Sequence, residues 1–255
     1  MKICVLIKQV PDTWNERRLD DTSHAVVRSA GEAVIDEICE RALEVALAYK
    51  DQNRDVEVVV ITMGPSIATE MIKKALAMGA DSAVHVVDPA LAGADQVVTA
   101  LTLAHAISQI GFDLVITGNE STDGRGGVIP AMVAEHLNAP LLSQLDEVEL
   151  TGSGVRATRR TAELTSIVSS TYPAVISVTE RNPDPRFPSF RGLMAARKKP
   201  VRTVTLAELG GANVPVSSRV LTIAPRPARE AGRKVVDDGG AAAELVEFLA
   251  ENRLI

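Results

Sequence analysis

The sequence is poor in the residues that most often carry chemistry unaided. Its 255 residues include two cysteines and four histidines, which share no common spacing. Cys4 and Cys39 do not form a CxxC pair, and no His, Cys and Asp cluster has the spacing of metal ligands. No Ser/His/Asp arrangement is recognisable either. We therefore predict no disulfide, no metal site and no enzymatic activity of the chain alone.

Aromatic residues and long apolar runs are also scarce. Aromatics make up 3% of the chain and the net charge is -6, so stacking on single-stranded nucleic acid and binding to a phosphate backbone are not predicted. The apolar run at 58–63 is far shorter than the roughly 20 residues that cross a bilayer. The chain begins with a strand-like segment rather than an export signal. We expect a cytoplasmic protein with no membrane span.

What the sequence does contain is an alternation of apolar and helical-period segments, which is typical of βα units around a parallel sheet. The predicted fold is α/β, a Rossmann-like parallel sheet flanked by helices. In the first half we predict strands at 2–10, 56–63, 83–87 and 113–117, and helices at 36–50, 66–78, 95–110 and 128–137. In the second half we predict a hairpin at 148–172, strands at 173–178 and 201–205, and a helix at 240–252.

The strongest chemical feature is the segment 118–127, GNESTDGRGG, which follows a predicted strand and opens a predicted helix. Free backbone N–H groups and the helix dipole favour an anion at such a point, and glycines allow a phosphate to approach closely. From the loop alone, a phosphate site and an ordinary glycine-rich turn are equally supported. The GxGxxG and P-loop motifs are absent, so neither NAD binding nor ATP hydrolysis is predicted.

Two neighbouring segments have ordinary explanations. The turn after Met63 would lie beside an adenine if a phosphate occupied the later loop, but a simple strand-to-helix turn capped by Ser66 is favoured. Asp36 begins a predicted helix, where acidic residues complement the helix dipole. Cys39 is better explained by packing than as a nucleophile.

The segment 181–191 is rich in proline and arginine, and its aromatic side chains suit protein docking. We predict that Phe187 folds back onto the sheet and that Phe190 anchors a partner, with Leu193 also costly to expose alone. Beyond residue 210 the chain becomes rich in proline and charge. We predict a nucleotide-binding domain over 1–210 and an arm over 211–255 that docks on another protein, because the arm cannot form its own core.

Four segments, in this order, resemble the β subunit of bacterial electron transfer flavoproteins: VLIKQVPDT at 5–13, KALAMGAD at 74–81, the loop 118–127 and the run 173–199. The similarity spans nearly the whole chain. It implies a Rossmann-like fold of the adenine nucleotide α-hydrolase-like type, a recognition loop at about 181–200, and a C-terminal arm that docks on an α subunit. It also implies a heterodimer in which the α subunit binds most of a redox-active FAD.

The resemblance further implies an AMP held by this subunit, which electron-bifurcating members replace with a second FAD. The phosphate would lie on Gly126, Gly127, Val128 and Ile129. By matching position, the pocket residues are Leu6, Asp36, Cys39, Met63, Gly118, Asn119, Ser121, Thr122, Asp123, Gly126, Gly127, Val128 and Ile129. Thr13 falls near the flavin ring of the α-bound FAD, and the partner-binding positions are Phe190, Leu193 and Lys198.

The function implied is electron transfer. Electrons would come from dehydrogenases such as acyl-CoA dehydrogenases and leave through electron transfer flavoprotein-quinone oxidoreductase to the respiratory chain. An alternative from the residues alone is a stand-alone adenine nucleotide-binding protein of the universal stress type. That alternative requires neither the docking loop nor the arm.

Overall fold

The computed structural model describes residues 1–14, 16–28, 32–210, 215–224, 226–228 and 232–255. They form two compact units, Met1–Leu221 and Thr222–Ile255. The division of the chain into a domain over 1–210 and an arm over 211–255 stays a prediction.

The first unit is built from twelve strands and five helices among the described residues. The strands are β1 Lys2–Leu6, β2 Gln9–Pro11, β3 Ala33–Ile35, β4 Glu57–Met63, β5 Ser82–Val86, β6 Leu114–Gly118, β7 Leu141–Leu145, β8 Glu147–Leu150, β9 Gly154–Arg160, β10 Thr165–Thr171, β11 Ala174–Val178 and β12 Val201–Val204. The helices are α1 Glu37–Gln52, α2 Thr69–Met78, α3 Gln96–Ile110, α4 Ile129–His136 and α5 Phe190–Ala196.

Seven strands form one parallel sheet in the order β12-β5-β4-β1-β6-β11-β7. The chain runs outward from β1 through β4 to β5 and then crosses back to place β6 on the other side of β1. This reversal is a topological switch point, where ligands of open parallel sheets bind beyond the carboxyl ends of the strands. The predicted α/β fold is therefore confirmed.

Both faces of the sheet are buried, because successive side chains of a strand point to opposite faces. Val5 packs with Leu43 and Ile72 on the face covered by α1 and α2. Val59 packs with Ile107 on the face covered by α3 and α4. These two apolar layers fix the level at which the strands end, and so position the loops beyond them.

The predicted strand 2–10 is wrong in its extent, because it divides at Lys8. The backbone N–H of Ile7 still donates to the Ile61 carbonyl at 3.0 Å, but the Lys8 carbonyl accepts from the Asp36 N–H at 2.9 Å. The chain thus leaves the sheet toward the start of α1. It continues as β2, which pairs antiparallel with β3, a three-residue strand that the apolar pattern did not predict.

The second half also differs from the prediction. The predicted hairpin is a three-stranded antiparallel sheet in the order β10-β9-β8, and the edge strand β7 was not predicted. Helix α5 lies inside the segment predicted as a loop. It begins there because the Ser189 side chain accepts a hydrogen bond from the Gly192 N–H at 3.0 Å, which caps the helix.

The prediction that Phe187 folds back onto the sheet is wrong, since its side chain is 93% exposed. The preceding residue explains this orientation. Arg186 donates to Glu44 of α1. Phe187 precedes Pro188, which favours extended backbone, and in extended backbone successive side chains point in opposite directions. The strong ion pair therefore turns the neighbouring phenylalanine outward.

The second unit, Thr222–Ile255, contains helix α6, Ala241–Glu251. None of the described side chains of α6 is buried, and Leu245, Val246 and Phe248 are each more than half exposed. Arg233 pairs with Glu244 at 2.6 Å. No helix in the described part of the chain is long and apolar enough to cross a membrane.

Candidate functional site at the carboxyl ends of the strands

The loop that follows β6 meets the start of α1 at the switch point, and Asp36 joins them. The side chain of Asp36 is completely buried. One carboxylate oxygen accepts from the Ile38 N–H at 3.1 Å and caps α1, while the other accepts from the N–H and hydroxyl of Thr122 at 2.6 and 2.8 Å. The residue therefore does more than complement the helix dipole, because it also fixes the middle of the loop.

A second carboxylate holds the loop from the other side. The Asp123 side chain accepts from Lys8 Nζ and from Arg28 Nε, each at 2.7 Å. Lys8 also donates to Ser121 Oγ at 3.0 Å. Burial alone would raise the pKa of Asp123, but the hydrogen bonds and charges of Lys8 and Arg28 outweigh it and lower the pKa to about 2. The carboxylate therefore stays ionised, and its hydrogen bonds to Lys8 and Arg28 hold the loop in place.

Lys8 and Arg28 hold this loop in place, and the sequence analysis named neither as a site residue. Lys8 comes directly after an apolar strand, so its charged side chain would be expected to lie beyond the end of the sheet. That position is the one sequence signal that could have identified it. Arg28 has no comparable signal. Each is far from Asp123 in sequence and reaches it only through the fold.

Glycines let the rest of the loop adopt its path. A Cβ at Gly118 would lie 3.1 Å from Ile38 Cγ2, so the strand end packs closely on α1. Gly127 has φ of +67°, in the left-handed region that glycine adopts most readily. A Cβ at Gly126 would overlap with the Gln96 amide, which places this residue beside the first turn of α3.

The loop ends at helix α4 with features that suit an anionic ligand. The N–H groups at the start of a helix have no intrahelical partners. Among the described residues no side chain caps the first turn of α4, so no side-chain cap accepts from the N–H groups there. Asn119 adds an independent feature, because its side-chain oxygen is buried and has no hydrogen-bond partner in the described structure. Buried acceptors are nearly always paired, so this one favours a donor supplied by a ligand or water.

Three predicted pocket residues lie at the edge of the two cores. Leu6 and Cys39 are almost fully buried, in opposite layers, and Met63 is half-buried. Burial raises the pKa of the Cys39 thiol to about 12, which keeps it neutral and unreactive. The predicted Ser66 cap is wrong, because the turn Ser66–Ala68 has no side-chain cap. That these residues contact a nucleotide stays a prediction.

Thr13 lies on a cavity of about 370 Å³ that residues of the loop after β6 also line. The other lining residues are Arg17, Glu37, Thr122 and Arg125. Thr13 and the loop thus share this cavity, and the flavin-proximal role of Thr13 stays a prediction. The predicted partner-binding residues Phe190, Leu193 and Lys198 are all exposed, on or just after α5.

Comparison of the sequence with known proteins identifies the family to which this chain belongs. The family described as "Electron transfer flavoprotein domain" matches residues 24–209, most of the chain. The chain belongs to the electron transfer flavoprotein family. Its matched region contains the loop after β6, the three-stranded antiparallel sheet and helix α5. The predicted resemblance is therefore confirmed.

Relatives within the electron transfer flavoprotein family match from end to end. "Electron transfer flavoprotein subunit beta" of Mycobacterium tuberculosis strain H37Rv is 47% identical over 263 residues, covering 99% of both chains. The subunit of the same name in Clostridium acetobutylicum is 31% identical over 264 residues, covering 100% of both. "Caffeyl-CoA reductase-Etf complex subunit CarD" of Acetobacterium woodii is 30% identical over 264 residues with the same coverage. These matches favour the subunit interpretation over a stand-alone module of the universal stress type.

Proposed function

We propose that this chain is the β subunit of a heterodimeric electron transfer flavoprotein. It would pair with an α subunit that binds most of the FAD, accept electrons from dehydrogenases in the cytoplasm, and pass them through the quinone oxidoreductase to the respiratory chain. The observation that carries the proposal is the end-to-end similarity to proteins named as this subunit. The chain itself would be an electron carrier component and not an enzyme.

AMP is the nucleotide that we propose for the loop after β6. Gly126, Gly127, Val128 and Ile129 would hold its phosphate, because their backbone leads into and begins the uncapped first turn of α4. The buried acceptor of Asn119 is available to a donor of the same ligand. The loop itself contains no lysine, and Lys8, which contacts the loop, is already paired with Asp123. The absence of a free lysine for the phosphate favours a structural nucleotide over phosphoryl transfer.

The FAD of the heterodimer supplies the one- and two-electron chemistry when it is bound. This chain would contribute placement. Thr13 lies on the exposed cavity beside Arg17 and Arg125, where guanidinium groups could face an anionic group of the partner. The arm, with the exposed apolar residues of α6, would dock on the α subunit.

The electron transfer role can be tested with the purified heterodimer. An acyl-CoA dehydrogenase with its acyl-CoA substrate is expected to bleach the visible flavin absorbance of the heterodimer, while the substrate without dehydrogenase is expected to leave it unchanged. A chain that forms a stable homodimer and binds ATP without an α subunit would contradict the proposal and support the stand-alone alternative.

A further inference from the structure

Two polar side chains are buried on adjacent strands near the carboxyl end of the sheet. Thr62 of β4 and His85 of β5 are partners in the parallel register of the two strands, and each is 2% exposed. Thr62 Oγ1 and His85 Nε2 have no hydrogen-bond partner in the described part of the chain. Buried polar atoms are nearly always paired, so two unpaired atoms on partner residues indicate a role that apolar packing does not explain.

Both side chains point to the face of the sheet that α1 and α2 cover. The alternation of side chains along a strand places Thr62 on the face of Val60 and His85 on the face of Ala83, and both of these apolar residues belong to the core on that face. The turn that follows β4 returns over the same face, because Ala68 at its end is fully buried in that core. His85 therefore lies beneath this turn.

The turn 64–68 has few other attachments. The start of α2 has no side-chain cap among the described residues, whereas aspartates cap α1 and α3. The Gly64 N–H donates to the Val86 carbonyl at 3.1 Å. Burial of the His85 ring lowers its pKa and outweighs the hydrogen bonds of the ring to the backbone of Gly64 and Pro65. A neutral ring thus gives the turn the side-chain contact that a helix cap would otherwise supply.

The same turn borders the proposed nucleotide site. Strands β4 and β6 are the two neighbours of β1, so their carboxyl ends lie about 10 Å apart, which is two strand spacings. The sugar of a mononucleotide can bridge that distance when its phosphate lies at the start of α4. The base would then lie over the end of β4, at Met63 and the turn that His85 contacts.

We propose that His85 and Thr62 are positioning residues for the base of the bound nucleotide, and that they act through the turn after β4. The neutral ring holds the backbone of the turn in the position that accepts the base. A buried water shared by Thr62 Oγ1 and His85 Nε2 fixes the orientation of the ring and satisfies both atoms. The inference rests on the proposed AMP site and adds two residues that hold the site without touching the nucleotide.

The test measures the contribution of the base to binding. The heterodimer is refolded with FAD but without other nucleotides, and is titrated with AMP or with ribose 5-phosphate, which has the phosphate but no base. The wild type is expected to bind AMP more tightly. His85→Leu is expected to weaken AMP binding about tenfold, and Thr62→Val about threefold, through lost hydrogen bonds, with ribose 5-phosphate binding unchanged. His85→Gln keeps an N–H donor and is expected to restore most of the AMP affinity.

Two matched controls remove comparable groups away from the turn. Thr102→Val removes a hydroxyl of α3 that is as buried as that of Thr62. His105→Leu removes a half-buried histidine of the same helix. Both controls are expected to leave the ratio of the two affinities at its wild-type value, even where they lower the stability of the protein.

The outcomes separate this inference from the proposed function. Wild-type AMP affinity of His85→Leu overturns it, as does equal weakening of both ligands, which indicates a general disturbance of the fold. If His85→Gln binds AMP as weakly as His85→Leu, the hydrogen bonds of the ring do not matter and the inference is wrong. If His85→Leu does not assemble, a wild-type affinity ratio for Thr62→Val overturns the inference instead. A wild-type heterodimer that binds neither ligand refutes the AMP site itself.

Discussion

Replacement of Asp36 with alanine is expected to destabilise the protein by about 2–4 kcal/mol and to release its bound nucleotide. The change removes the N-cap of α1, worth about 1 kcal/mol, and leaves the buried N–H and hydroxyl of Thr122 without their acceptor, at about 1–3 kcal/mol. The loop after β6 would lose its central attachment. Denaturant unfolding and nucleotide extraction of the purified heterodimer measure both effects.

Two further variants separate the roles of this carboxylate. Glu37→Ala removes an exposed acidic residue of the same helix turn, and is expected to change stability by less than about 0.5 kcal/mol. Asp36→Asn keeps one acceptor for the helix cap but presents an amide to Thr122, so an intermediate loss is expected. If Asp36→Ala were no more harmful than Glu37→Ala, the carboxylate would act only through the helix dipole and the account of the loop would be wrong.

Replacement of Gly192 with alanine is expected to raise KM for the donor dehydrogenase tenfold or more without changing flavin content. The added Cβ would overlap with the backbone carbonyl of Ala77, which cannot rotate away as a flexible side chain can. Helix α5 must then move off α2 and carry Phe190 with it, at a cost of about 1–3 kcal/mol in stability. Steady-state kinetics, with the flavin spectrum of each preparation, checks the prediction.

A glycine in open space provides the control. Gly152 has no atom within 4 Å of the position that a Cβ would occupy, so Gly152→Ala is expected to behave as the wild type. A wild-type KM for Gly192→Ala would show that close packing of α5 on α2 does not position Phe190 for the dehydrogenase.

The sequence predicted those parts of the fold that depend on local apolar pattern. Strands such as β4 and β6 lie where uninterrupted apolar runs occur, because strands buried on both faces of a parallel sheet contain few polar residues. Strand β3 was missed because its apolar run is only three residues long, and the edge strand β7 was missed because Ser143 and Gln144 interrupt its apolar residues. Helix α5 was missed because its seven residues follow a proline-rich stretch and are stabilised by the Ser189 cap and by packing on α2.

The candidate site shows the same limit. The glycine-rich loop and its anion-binding character could be predicted, since they depend on consecutive residues. The residues that hold the loop could not, because Lys8 and Arg28 lie 115 and 95 positions from Asp123 in sequence. The orientation of Phe187 was predicted wrongly for a related reason. Its outward orientation depends on the ion pair of Arg186 with Glu44, 142 positions away in sequence.

The claim that this chain is one half of a two-subunit flavoprotein is tested most directly by quantifying the nucleotides that acid releases from the purified heterodimer. The chain is co-expressed with its α subunit, and the extract is separated by chromatography. The account predicts visible flavin absorbance, with one FAD and one AMP per heterodimer. Two FAD per heterodimer would contradict AMP as the ligand of the loop after β6, and a heterodimer without flavin would contradict the proposed function.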